Sequence, residues 1–263
     1  MLKNISSKTA AAMLGAACAC FLAVGCSSSQ QIKEEVPDKP PMVLYQETQS
    51  IIDTGDFTEA IKYLETMDAR YPYGPLSEQI QLDLIYAYYK NGDDEKAIAA
   101  CDDFIRTHPT HQNLDYVYYM RGLTNMQQDS DLLQTIFHID RYDRDPAFSQ
   151  TAFSDFNTLV SAYPDSVYAA DAQARMIYLR DKLARHYVDV ADYYYRRQAY
   201  IGAANRCKEI LENFYETKYT EDALEIMIKS YHKLGLSELE ERSREIMADN
   251  FPNNSYASKS AFR

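Results

Sequence analysis

An all-α fold of stacked helix pairs is predicted by three observations. Apolar residues recur at helical spacing: Leu76, Ile80, Leu84, Ala87 and Tyr88 form one stripe, and after the break at Asn91-Gly92, Ala97, Cys101, Phe104 and Ile105 form a second. A small residue in the second helix of each pair leads, at a fixed offset, to an aromatic or His followed by Pro: Ala60 to Tyr71-Pro72, Ala97 to His108-Pro109, Ala152 to Tyr163-Pro164. No block of alternating β-branched residues argues for sheet. Two helices of roughly 14 residues, a tight turn, a small residue and a closing proline make one tetratricopeptide (TPR) unit. The expectation is a TPR superhelical solenoid of five helix-turn-helix repeats, about ten helices.

The first 25 residues stand apart from that fold. Lys3 and Lys8 supply a positive start, Ala10 to Val24 is apolar, and Ala23-Val24-Gly25-Cys26 closes the stretch with small residues before a cysteine. This resembles a bacterial lipoprotein lipobox, with Ala23 where Leu is usual and Leu22 one place earlier. The resemblance implies lipidation at Cys26, with acyl chains that anchor a chain that never spans the bilayer. Ser27 and Ser28 follow where an Asp would suggest inner-membrane retention, which implies the outer membrane. Residues 26–41, with Pro37, Pro40 and Pro41, have no period and read as a tether.

In order along the rest of the chain, residues 42–128 hold the first two repeats and the first helix of the third. Residues 129–145 hold an inserted loop or short helix with the apolar stretch Leu132-Leu133-Ile136-Phe137. Residues 146–252 hold the remaining repeats, and 253–263 form a tail. The key positions 60, 97, 152, 204 and 240 include two gaps well beyond the TPR period of ~34 residues. The insert accounts for one. The other lengthens a first helix, because Ser166 to Arg197 has no Pro or Gly, while Ala172, Met176, Leu179, Leu183, Tyr187, Val190 and Tyr194 step by threes and fours. Three N-caps are expected: Asp93, and Asp56 and Ser237, which each carry Glu three residues later, as Glu59 and Glu240.

Composition bounds the function. A formal charge of −12 repels nucleic acid and anionic headgroups, and loss of Lys3 and Lys8 with the leader makes the chain more acidic still. Of five cysteines, Cys18 and Cys20 lie in the leader, and Cys101 and Cys207 sit at apolar helix positions as small core residues. There are 23 tyrosines and no Trp, so rings must do much of the packing. Those at 86, 88, 89, 116, 118, 119, 193, 194 and 195 are too many on adjacent turns for all to point inward: either half are core and half ordinary surface rings, or they line a peptide groove, and the sequence leaves both open.

No enzyme is expected: no phosphate-cradling Gly-rich loop, HExxH, G-x-S-x-G or CxxC motif occurs after the leader. His108 and His111 read as a polar loop rather than a metal site, and Asp140-Arg141-Tyr142-Asp143-Arg144-Asp145 as a self-neutralising loop. No metal and no cofactor are implied.

Several runs carry a family likeness: Lys33 to Pro41, Arg70 to Pro75 (RYPYGP), Gln81 to Asn91 (QLDLIYAYYKN), Asn113 to Met126 and Asp143 to Pro146. They resemble the BamD family of outer-membrane lipoproteins, part of the β-barrel assembly machinery. The resemblance implies a non-catalytic scaffold on the periplasmic face of the outer membrane. It would receive unfolded outer-membrane proteins and join BamA, BamC, BamE and the other assembly subunits. By motif, Arg70, Tyr71, Tyr73 and Gly74 would form the substrate-peptide pocket, and Thr58 stands where the family often has a basic residue. Arg206, with Asn205, matches the family's Val-Asn-Arg and would pair with an acidic POTRA side chain of BamA, a role that suits a bidentate guanidinium. The insert near Asp140 to Asp145 would lie beside the companion lipoproteins. Another outer-membrane TPR lipoprotein, such as a secretin pilotin, is the alternative.

Overall fold

A computed structural model describes residues 36–129 and 146–258. The expectations for the leader, for Cys26 and for the insert expected at 129–145 lie outside those residues, except that Asp129 is the last residue of a helix. All helices belong to one compact unit that begins at Lys39.

The described residues form ten α-helices and no strand. They are α1 (Pro41–Thr54), α2 (Phe57–Arg70), α3 (Ser77–Asn91), α4 (Asp94–Thr107), α5 (Leu114–Asp129), α6 (Ala147–Ala162), α7 (Ala169–Arg196), α8 (Tyr200–Asn213), α9 (Thr220–Leu234) and α10 (Ser237–Asn250). Each helix packs on the next, and first helices of successive pairs also meet, α3 on α5 and α7 on α9. Side chains complete that line. Tyr45 and Gln49 of α1 donate to Asp83 of α3 at 2.8 and 2.6 Å, and Tyr119 of α5 donates to Asp171 of α7 at 2.7 Å. This is the pairing of a TPR solenoid, in which every element's apolar stripe is covered by its neighbours along the chain.

The turns repeat as closely as the helices. In the first, second and fifth pairs the two helices are joined through a left-handed glycine, at Gly55, Gly92 and Gly235, with φ between 68 and 82°. In the fourth pair that place is held by Gln198 at φ 63°. Each second helix ends on an aromatic residue or His, Tyr71, His108, Tyr163, Phe214 and Phe251, whose N–H returns to the carbonyl four residues back at 2.7–2.9 Å. The fourth repeat is therefore read one residue out of register in the sequence. Ala203, not Ala204, takes the place of Ala60 and Ala97: all three donate at 3.0 Å to the carbonyl of the N-cap residue four positions back. Phe214 then occupies the closing position, and Tyr215 stands where proline does elsewhere.

Two of the three expected caps are corrected. Asp56 does accept from the Glu59 N–H at 3.1 Å. Asp93 sits at the N-cap but its carboxylate makes no capping bond; it takes the Asn91 amide at 2.9 Å instead. Ser237 lies inside α10, whose N-cap is Leu236, and Glu240 is drawn away to Arg244 and His232. Pro41, expected in the tether, starts α1, where a missing N–H costs nothing. The long first helix runs from Ala169 rather than Ser166, with 28 residues and a length of ~42 Å.

The core follows the stack. Leu82, Ile85, Cys101, Phe104, Leu114, Val117 and Met120 fill the second and third pairs, and Ala152, Phe156, Leu159, Ala172 and Leu179 continue into α7. Ala191, Ala203, Cys207, Ile210, Ala223 and Met227 fill the fourth and fifth. Tyr256 and Ala257 of the 3-10 turn Ser255–Ala257 cover Leu224, Ile228 and Met247 at the end. One charged network crosses the third pair: Arg121 binds Asp155, 3% exposed, at 2.6 Å and also pairs with Asp102. Burial pushes the Asp155 carboxyl up against the opposing pull of Arg121.

Candidate functional sites

Where α2 ends, Tyr71 turns the chain away and Pro72, Gly74 and Pro75 keep it from re-entering a helix until Ser77. The start of α1 lies against this turn, and together they wall a groove of about 310 Å³. Its lining is mostly apolar and includes Pro40, Pro41, Met42, Tyr71, Tyr73 and Ile80. Tyr73 is 95% exposed. The Tyr71 hydroxyl lies 3.5 Å from the Lys39 carbonyl, and the Ser77 N–H and hydroxyl both donate to the Gly74 carbonyl, at 3.2 and 2.9 Å. These bonds brace the turn and leave the Tyr73 ring open to solvent.

Of the four residues singled out by motif, the groove brings together Tyr71, Tyr73 and Gly74. Arg70 is exposed in the last turn of α2 and is not part of the lining. Gly74 keeps an ordinary φ, and a Cβ there would meet open space, so its backbone alone does not demand glycine. The wall from α1, above all Pro40, Pro41 and Met42, escapes a motif reading. Its signal is the prolines that crowd both sides of α1 and α2. Thr58 lies elsewhere, its hydroxyl donating to Asn91 Oδ1 at 3.1 Å.

The second candidate lies at the other end. Asn205 and Arg206 are exposed on α8, opposite or beside the buried residues Ala203, Ala204, Cys207 and Ile210. Arg206 makes no ion pair among the described residues.

The tyrosine question resolves toward packing. Tyr88 is buried, and Tyr86, Tyr89, Tyr116, Tyr118, Tyr119, Tyr194 and Tyr195 are half-buried against the cores. Tyr193 alone of those nine is exposed, at 50%. The His108 and His111 loop is less solvated than its sequence implies. Both rings pack on Phe104, at 4.8 and 5.1 Å between centroids, and each faces the Glu78 carboxylate, at 3.5 and 3.4 Å. The Asn113 N–H donates to His111 Nδ1 at 3.1 Å, which leaves Nε2 as the protonated nitrogen toward Glu78. Among the described residues no group of three His, Cys, Asp or Glu is placed to hold a metal. Cys101 and Cys207 are both free and buried. Among the described residues no helix is long and apolar enough to cross a membrane.

Stacked helix pairs, closed by the same turns and carrying an apolar groove at one end, define a TPR-type repeat protein. A family described as outer membrane lipoprotein (YfiO) matches residues 37–247. The outer membrane protein assembly factor BamD of Vibrio cholerae is 46% identical over 226 residues, covering 86% of this chain and 92% of its own length. The BamD of Neisseria meningitidis is 41% identical over 209 residues, covering 80% and 78%. A tetratricopeptide repeat protein of Parabacteroides merdae, 15% identical, overlays 81% of this chain and 68% of its own at a TM-score of 0.37. That overlay adds nothing to the helix pairing already described. The chain belongs to the BamD family of outer-membrane lipoproteins.

Proposed function

We propose that the chain is a non-catalytic scaffold of the outer-membrane β-barrel assembly complex, lipid-anchored through Cys26 on the periplasmic face. Residues 1–25 would be removed as a signal peptide and residues from 26 to the start of α1 would serve as tether. Unfolded outer-membrane proteins would be received at Tyr71, Tyr73 and Gly74, with Arg70 at the rim. Asn205 and Arg206 would dock the barrel subunit BamA through an acidic POTRA side chain, and BamC, BamE and the other subunits would complete the assembly.

The observation that carries this reading is the groove: an apolar, ring-lined hollow with a fully presented Tyr73. An extended chain with alternating apolar side chains could place one in the hollow and rest its backbone along the rings. Such a site captures many sequences, because ring contact does not read side-chain hydrogen bonds. A photocrosslinker at Tyr73 tests it: nascent barrel proteins should be captured in the envelope, and capture of none would reject the pocket. For the docking site, Arg206→Glu should lower co-purification with BamA while the helical circular-dichroism signal stays native. Unchanged co-purification would reject that role.

A further inference from the structure

From Tyr193 to Lys208 the sequence holds four cations, Arg196, Arg197, Arg206 and Lys208, and no Asp or Glu, within a chain of formal charge −12. Two of the four are neutralised locally: Arg196 by Asp192 at 2.8 Å and Lys208 by Glu212 at 3.3 Å. Arg197 and Arg206 form no ion pair among the described residues. In a protein with a large excess of acid, two exposed guanidiniums left without carboxylates, nine residues apart across one turn, mark a place where positive charge is offered outward.

Apolar contact is offered beside it. The Arg197 guanidinium lies 5.3 Å from the centroid of the half-exposed Tyr193 ring. Ile201, 64% exposed, stands one turn before Asn205 on α8. Between them the chain turns through Gln198, the only non-glycine residue with positive φ among the described residues. A side chain held in the left-handed region is strained, and such strain persists where the surrounding structure over-determines it. On either side of that turn the Tyr195 and Tyr200 rings lie 5.4 Å apart and Gly202 packs under the Tyr194 ring. The turn is therefore flanked by ring packing. Tyr193, Arg197 and Ile201 are thus presented from a packed turn, which limits the backbone ordering that a partner must impose.

From this placement we infer that Tyr193, Arg197 and Ile201 form a second contact beside Arg206, for a folded protein partner whose surface is acidic around a small apolar hollow. The inference rests on the reading that Asn205 and Arg206 dock a partner, and it carries that site across the α7–α8 turn. Tyrosine and arginine are residue types that concentrate binding energy in the middle of an interface, and Ile201 adds apolar area beside them. Arg rather than Lys fits at 197, because a planar guanidinium can stay stacked on the ring while its edge binds a carboxylate.

The test measures binding of the purified chain to the soluble periplasmic domains of the barrel subunit, at low and high salt. Arg197→Glu and Ile201→Asp should each weaken binding by about tenfold or more, with Arg197→Lys intermediate, and Arg197→Ala should flatten the salt dependence. Helical circular dichroism should match the parent in every case. If Arg206→Glu abolishes binding while Arg197→Glu and Ile201→Asp leave it intact, the second contact is wrong and the docking site stands. If Arg206→Glu has no effect but Arg197→Glu does, the assignment of Arg206 fails and the turn carries the interface. Binding to phosphatidylglycerol vesicles with the same dependence on Arg197 would overturn an acidic protein as the occupant.

Discussion

The Tyr45 hydroxyl donates to Asp83 Oδ2 at 2.8 Å, and this bond ties the first repeat to the second along the line of first helices. Asp83 also takes Gln49 at 2.6 Å and Gln79 at 2.9 Å, so the carboxylate is satisfied by neutral donors alone. Burial is the leading influence and raises its carboxyl above the usual range, while the three donors pull it back. Tyr45→Phe deletes one donor and leaves the carboxylate in place. The expected loss is about 1 kcal/mol, read as a lower denaturant midpoint at constant slope. No change in midpoint would mean that the bond does not couple the repeats.

Gly122 meets the ring of Phe156, which is fully buried: a Cβ at 122 would fall 2.6 Å from the ring edge. Alanine is intrinsically the better helix former by about 1 kcal/mol, so an open site would gain from the exchange. Here the ring must move within a packed core, and Gly122→Ala should destabilise the protein by about 1–3 kcal/mol. A thermal melt decides, because the two effects have opposite signs.

Gln198 offers the reverse case. Its φ of 63° matches the glycines at the equivalent turns, and among the described residues its side chain makes no hydrogen bond that glycine would forfeit. Gln198→Gly should therefore raise stability by about 0.5–1 kcal/mol, strain relief outweighing the added freedom of the unfolded chain. A lower melting temperature would show that the turn is not strained.

Glu240 sets an acid limit on the fifth repeat. Burial alone would raise its carboxyl, but hydrogen bonds from Arg244 and His232 outweigh that and hold it below its ordinary range. A depressed carboxylate adds stability above its unfolded pKa and loses it as pH falls through the folded one. Glu240→Gln should thus be less stable at pH 7, and the gap to the parent should close as pH falls from about 5 to about 3. A gap that widens on acidification would contradict the assignment.

Much of this architecture was legible in the chain because a TPR unit is local. Ala60, Ala97 and Ala152 with their closing aromatics are short-range features, and period alone exposes them. The fourth repeat slipped by a residue because Ala203 and Ala204 are both small and Tyr215 replaces the proline that marks the register elsewhere. The caps at Asp93 and Ser237 failed for another reason: side chains choose among competing partners, and Asn91 or Arg244 cannot be ranked from spacing. The groove was half visible. Its turn carries a motif, whereas its opposite wall comes from Pro40 to Met42, some thirty residues earlier, and only folding brings the two together.

The two thiols that remain in the helical stack have a practical bearing. Cys101 and Cys207 are both fully buried, and burial pushes Cys207 up to about 12 and Cys101 higher still. Neither offers a thiolate at neutral pH, so maleimides and oxidants should pass them by while the stack is folded. A single cysteine introduced on the surface, at Tyr73 or Arg197 for instance, would take a fluorophore in preference to either native thiol, and distances across the assembled machine could be followed without first rebuilding the core.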